Sequence, residues 1–293
     1  MSYAGTMLTD HQRKWGVEQW VVFLKDKEIP ILPRTRMVVQ AVAEASADRV
    51  SPKEMAGYVF SDPYLTLKML RQAEQRRSKK LGHDTTTALG TVMQAGIDGL
   101  LETVSEGPLT DDSIEGLANC EFRAVLAANI ARQWASARAD VSPEEVAMAA
   151  LLSETGELLL WYFATELPQL ALDNLHSGRA LRTNEAQDMA CGFVFKQLTI
   201  ALIDAWQLPQ IIKQMIRGAD TLRANIARLA TDTARHIVLH PENPAIPSDI
   251  VNIKALLPGS SHQDLIACLP ITPEYKEFVL SQIAQNSVAQ EPR

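Results

Sequence analysis

The stretch from Val146 to Trp161, V-A-M-A-A-L-L-S-E-T-G-E-L-L-L-W, constrains this chain more than any other. It is a nearly unbroken apolar run of helix formers, and a helix that is apolar all round belongs in a core. Its middle is interrupted by Ser153, Glu154, Thr155 and Gly156. A polar break and a glycine inside a buried helix have to be compensated, so this is where an all-helical domain would place chemistry. The chain can bury such a helix: it has 293 residues, 46% of them hydrophobic, enough for about two domains or one large one.

The charge balance narrows the function classes. A net charge of −7 and a pI near 5.4 argue against a general nucleic-acid coat, which needs a basic surface to meet phosphate. The three cysteines, at 120, 191 and 268, are far apart, odd in number and without a C-x-x-C pair. They indicate neither a disulfide framework nor a zinc ribbon and read as reduced, buried thiols. The N-terminus has no cationic start followed by an apolar run, and no window approaches ~18 apolar residues without a charge. A cytoplasmic protein with no membrane segment is expected.

Helix signals dominate and no stretch alternates convincingly as a strand. Apolar spacing predicts helices over Gln12 to Lys25 and Arg34 to Ala47, separated by the I-P-I-L-P stretch Ile29 to Pro33, whose prolines force extended backbone. Ser51, Pro52 and Glu54 predict a capping box, as do Ser142, Pro143 and Glu145 ahead of the central stretch; Asp62 and Pro63 repeat the device before Tyr64 to Arg76. Glycines at 90, 96 and 99 frame two short helices ending near Glu106, and G-P-L-T-D-D-S at 107 to 113 is the best boundary. Beyond it the patterns predict helices from about Cys120 to Ala137, from Pro168, over Glu185 to Trp206 in one piece, from Pro209 to Arg217, and from Thr221 to Leu239. After the P-E-N-P break at 241 to 244, a tail carries two weaker helices near 262 to 268 and 274 to 285.

Local catalytic patterns are absent. There is no G-x-x-x-x-G-K-[ST] and no G-x-S-x-G, and the glycines of 90 to 99 have the wrong spacing for a dinucleotide turn. Ser153 and Glu154 are neighbours that point about 100° apart on a helix, so they do not form a nucleophile and base; they read as a polar plug bonded to nearby backbone. His236 and His240 share a face but lack the glutamate of H-E-x-x-H, and read as surface that compensates a helix dipole. Lys68, Arg71, Arg76, Arg77, Lys79 and Lys80 stand against one acid, Glu74. This run is either an anion contact or, as preferred, a solvated C-terminal turn where cations suit the helix dipole.

In their order, these motifs make the chain resemble the HDOD family, the HD-related output domains of bacterial signalling proteins, over roughly Val17 to His240. Ile29 to Pro33 resembles that family's I-P-x-L-P opening, and Asp62, Pro63, Leu65, Thr66, Leu70 and Arg71 its D-P-x-L-t-x-x-l-L-r helix. Thr85 to Gly96 loosely matches a T-x-x-x-A-x-x-x-G-like segment. Leu151 to Gly156 is similar to the family's L-L-H-D-I-G helix, and Gly192, Phe193, Leu202, Trp206, Leu208 and Pro209 to its G-F-x-H-x-x-x-G-x-x-L-x-x-x-W-x-L-P segment. HD phosphohydrolases hold a metal on histidines and aspartates, because the cation lowers the pKa of the attacking water and neutralises phosphate. Here Ser153 and Glu154 stand where the His-Asp pair would be, and Glu121 to Arg123 supplies no histidine. Phe195 replaces the later histidine, Arg217 and Gly218 replace the closing His-His, and Thr231 or Asp232 lies near the last aspartate. The family's asparagine after the D-P helix gives way to charge around Glu74.

The resemblance implies an all-α chain of two packed helical lobes, 11–107 and 108–240, the second a degenerate HD-like bundle, followed by a helical tail, 241–293. It implies a non-catalytic, cofactor-free and metal-free signalling protein that binds a protein partner or small ligand. Nucleic acid is not expected, and a homodimer is left open. The candidate groove combines Ile29 to Pro33, the 62 to 80 helix and the former metal face, with Ser153, Glu154, Phe195, Arg71, Arg76, Arg77, Lys79 and Lys80 as candidate contacts. Two alternatives stand beside this reading: a phosphohydrolase with a metal on Glu154 and Asp232, and a nucleic-acid binder through the 71 to 80 cations.

Overall fold

The computed structural model describes residues 8–46, 50–76 and 84–289, and every regular element within them is helical. After a short 3-10 turn at Gln12–Lys14 come α1 (Val17–Leu24), α2 (Pro33–Ser46), α3 (Pro52–Phe60), α4 (Pro63–Arg76) and α5 (Ala88–Glu106). Among the described residues, β pairing is limited to an isolated parallel bridge between Ile31 and Leu109.

That bridge explains the proline-bracketed stretch. Ile31 donates to the Pro108 carbonyl at 2.8 Å and accepts from Thr110 at 3.0 Å. Asp62 caps α4 by accepting from the N–H groups of Tyr64 and Leu65, each at 2.9 Å, and its other oxygen takes the N–H of Leu32 at 2.9 Å. The extended segment is therefore tied on both sides, with Ile31 and Leu32 fully buried. Ser51 and Ser142 do precede their helices, but neither side chain makes the expected cap bond. Glu145 instead accepts from Thr86 Oγ1 at 3.0 Å and Arg223 at 3.4 Å, so tertiary partners take the carboxylate the local box would have used. The two-piece reading of 85 to 106 holds within α5, which kinks at Gly96 with φ 76° and ψ 165°.

The second half runs α6 (Glu115–Ala135), α7 (Pro143–Leu152), α8 (Thr155–Phe163), α9 (Glu166–His176), α10 (Thr183–Cys191), α11 (Phe195–Ala205), α12 (Gln210–Arg217) and α13 (Leu222–Leu239). The central apolar stretch is α7 and α8, bent apart at Ser153 and Glu154. From Pro143 to Phe163 it is long and apolar enough to cross a membrane, yet 94% of its apolar window is buried inside the molecule. Helices α6, α12 and α13 surround α7, while α11 packs on α8. Gly156 permits that last contact: a Cβ there would lie 2.5 Å from the Phe195 carbonyl oxygen and 2.9 Å from the Thr199 nitrogen. The freed space is used by a hydrogen bond from the Gly156 N–H to Thr199 Oγ1 at 2.8 Å.

Three expectations are corrected here. The single helix expected over Glu185 to Trp206 is two, α10 and α11, because Gly192 adopts φ 76° and ends the first in a left-handed turn. The tail contains α14 (Ile246–Leu256) ahead of α15 (His262–Ala267) and α16 (Pro273–Ala289). It is not peripheral: Ile246, Ile250 and Ile253 are fully buried, and the Trp134 indole donates to the Leu265 carbonyl at 3.0 Å. All three cysteines are free thiols, but only Cys120 is buried; Cys191 and Cys268 are half-buried.

Helix α1 comes first in the chain yet packs on α11. The Trp206 indole donates to the Lys25 carbonyl at 2.9 Å, just past the end of α1, and Phe23 meets Phe163 edge-on at 6.2 Å. Further in, the Tyr64 hydroxyl donates to the Leu158 carbonyl at 2.7 Å, pinning α4 to α8.

Candidate functional site

At the break between α7 and α8, Ser153 behaves as the expected plug, its hydroxyl donating to the Ala149 carbonyl at 2.8 Å. Glu154 does something else. With φ −97° and ψ 11° it stands outside both helices, which turns its carboxylate between α6 and α13. Arg123 of α6 lies 3.1 Å from one oxygen and Arg235 of α13 lies 3.0 Å from the other. The charges continue outward on both sides. Arg123 also meets Glu157 at 2.8 Å, Arg235 meets Asp232 at 3.2 Å, and Asp232 meets Arg228 at 3.4 Å.

Acids and guanidinium groups thus alternate along one chain of contacts, buried at Arg123, Glu154 and Glu157 and opening toward solvent at Asp232 and Arg228. Burial pushes the Glu154 carboxyl up, but Arg123 and Arg235 outweigh it and hold it at about 2, so it is ionised at neutral pH. Burial disfavours the charged form of Arg123 as well, and Glu154 and Glu157 more than compensate, raising its pKa. Such a network holds only while each member keeps its partners, because a lone buried charge costs several kcal/mol, on the order of 3–5.

A cavity of about 220 Å³ opens beside this network. Ser153, Glu154 and Glu157 form one wall, Arg228, Thr231, Asp232 and Arg235 of α13 another. Thr183 and Asn184 begin α10, Phe195 and Lys196 begin α11, and both starts face the space, with Met215 and Ile216 closing it. The donor set does not suit a metal. Both Glu154 oxygens and both Asp232 oxygens are committed to guanidinium groups. Among the described residues no three His, Cys, Asp or Glu side chains gather as ligands. A divalent ion at Glu154 would have to displace a buried cation.

The structure brings Ser153, Glu154 and Phe195 to this one cavity, but not the rest of the expected groove. Ile29 to Pro33 and α4 do not line it. Arg71 sits over the Trp206 ring at 5.4 Å and donates to the Lys27 carbonyl at 3.1 Å. Arg76 ends α4 as an exposed residue, and Arg77, Lys79 and Lys80 lie outside the described residues. Lys68 is buried against Glu28 at 3.1 Å. His236 and His240 part company: His236 Nδ1 lies 2.7 Å from Asp249 of α14, while His240 accepts from the Glu242 N–H at 3.2 Å. Arg217 pairs with Asp204 at 2.5 Å, away from the cavity.

Sequence reasoning missed Arg123, Glu157 and Arg235. A faint signal was present, since Glu154 and Glu157 are three apart in the apolar central stretch and Arg228, Asp232 and Arg235 fall at intervals of four and three within one predicted helix.

Compared with known proteins, the chain matches the family model described as the HDOD domain over residues 29–222. No curated protein matches it. Among solved structures it is similar to the MmoQ response regulator of Methylococcus capsulatus, with a TM-score of 0.63 at 18% identity, over 84% of this chain and 99% of that one. It is also similar to a virulence factor of Campylobacter jejuni, with a TM-score of 0.68 at 16% identity, over 89% of this chain and 98% of that one. At these identities the likeness is one of fold.

Proposed function

Because this chain belongs to the HDOD domain family, related to the HD phosphohydrolases, we propose that it is a non-catalytic regulatory module that acts by binding. The observation that carries this reading is the double pairing of Glu154 with Arg123 and Arg235. Hydrolysis by a metal needs vacant oxygen donors around an exposed cation, which lowers the pKa of bound water. Here the surviving carboxylates are neutralised by guanidinium groups that carry fixed positive charge and cannot ligate water. The guanidinium groups bring the positive charge that these buried carboxylates need, so their burial is compensated by residues of the chain itself.

The role is in signalling in the cytoplasm, with a protein partner or a small ligand as input. The response regulator among its fold relatives supports that assignment. A nucleic-acid role is disfavoured because Lys68 and Arg71 are spent within the chain.

The deciding measurement is turnover of p-nitrophenyl phosphate and its bis-ester with added manganese, magnesium or nickel, paired with a melting curve for each ion. No release of nitrophenol and no shift at micromolar metal are expected. Metal-dependent hydrolysis that Glu154→Gln abolishes would overturn the reading.

A further inference from the structure

We infer that the cavity beside Glu154 binds the phosphoryl group of a small phosphorylated molecule, an assignment that rests on the non-catalytic reading above. The charges facing the space decide its preference. Every carboxylate there is already committed: Glu154 to Arg123 and Arg235, Glu157 to Arg123, and Asp232 to Arg228 and Arg235. Two of the cations are held loosely or not at all. Lys196 lines the cavity and has no ion-pair or hydrogen-bond partner among the described residues. Arg228 is 48% exposed and holds Asp232 at 3.4 Å, a pair weak enough for an incoming anion to share. Arg123, which lies outside the lining, neutralises Glu154 and Glu157 from behind, so with it four cationic side chains stand against three carboxylates, and Lys196 on the cavity wall is the one without a carboxylate partner among the described residues.

The arrangement fits phosphate better than carboxylate. Lys196 comes from α11, Arg228 from α13, and the neutral Thr183 and Asn184 from α10, so donors approach from three sides. A carboxylate offers two coplanar oxygens, whereas a phosphate monoester offers three in a tripod. Two helix starts facing the cavity add to the favourable potential. Met215, Ile216 and Phe195 are buried apolar residues on the same walls and suit a short carbon skeleton. At about 220 Å³ the space is smaller than the ~300–1,000 Å³ of sites for drug-sized ligands, which excludes a peptide or a nucleic-acid strand from its interior.

The test uses the full chain and inorganic phosphate as the probe, by equilibrium dialysis and melting, against acetate and chloride at matched ionic strength. Saturable phosphate binding is expected, with affinity lowered about tenfold or more in Lys196→Ala and in Arg228→Ala. Both residues are solvent-accessible, so neither change should unfold the protein, and Lys53→Ala, an exposed change on α3, should leave binding unchanged. Phosphate no better than acetate or chloride overturns the site, as does phosphate binding that both variants retain. The same samples receive p-nitrophenyl phosphate with manganese. Nitrophenol release would overturn the non-catalytic reading together with this assignment, whereas absent phosphate binding without turnover overturns the site alone.

Discussion

Glu121 is a single carboxylate whose surroundings set a measurable pH response. It is 2% exposed, lies 3.6 Å from Arg34 of α2, and its Oε1 has no hydrogen-bond partner among the described residues. Burial pushes its pKa up to about 8; Arg34 pulls it back, and Asp62 and Asp112 push the same way as burial. A raised carboxyl pKa means the folded chain holds this proton longer than the unfolded one. The contribution is fully present below pH ~4.5 and is lost as pH rises toward 8. Glu121→Gln mimics the protonated form at every pH. It should match the parent protein near pH 4.5 and exceed it by a few kcal/mol, on the order of 4, at pH 8, as read from urea unfolding at several pH values. Parallel stability curves for the two proteins would refute the assignment. At this scale the sequence was half legible. Glu154 stood out because an acid inside an apolar helix demands a partner, but nothing local marked Arg123 or Arg235 as that partner, since they arrive from helices distant in the chain.

The contact between α8 and α11 depends on one missing side chain. Gly156→Ala would place its Cβ against backbone atoms of Phe195 and Thr199, which cannot move aside as a side chain could. We expect a loss of about 1–3 kcal/mol by chemical denaturation. Gly57→Ala is the internal control: on α3 an added Cβ meets nothing within 4 Å, so that variant should gain up to about 1 kcal/mol from helix propensity. Equal effects at the two glycines would contradict the close approach. Helix identities were read well from apolar spacing, and Asp62 caps α4 as its motif suggests. Helix ends were read less well. Gly192 breaks an apolar pattern that continues across it, and the serine boxes at 51 and 142 lost their bonds to tertiary partners or to none. Helix α14 hid behind the prolines that precede it, although Ile246, Ile250 and Ile253 fall at helical spacing.

Taken whole, the molecule closes on residues supplied by its tail. Ile246, Ile250, Ile253, Leu265, Ile266 and Val279 are buried there, and each fully buried apolar side chain contributes roughly 1.5–3 kcal/mol. Their sum is comparable to the ~5–15 kcal/mol that holds a typical domain together. A chain ending at His240 should therefore lose its cooperative thermal transition by circular dichroism; a transition at the parent temperature would show the tail to be dispensable. The all-helical class was legible from composition and punctuation. The assembly of α8, α10, α11, α12 and α13 around one cavity was not, because it joins positions that no local pattern relates. The apolar stretch from Pro143 to Phe163 has one more consequence, which concerns synthesis rather than the finished fold. A ribosome extends the chain at about 5–20 residues per second, so this segment emerges seconds before α11, α12 and α13 exist to cover it. During that interval the nascent chain displays a stretch with the length and hydropathy of a membrane span. Ribosome-bound chaperones that shield such segments should be needed at this step, and slowing translation between α8 and α13 should lower the yield of folded protein.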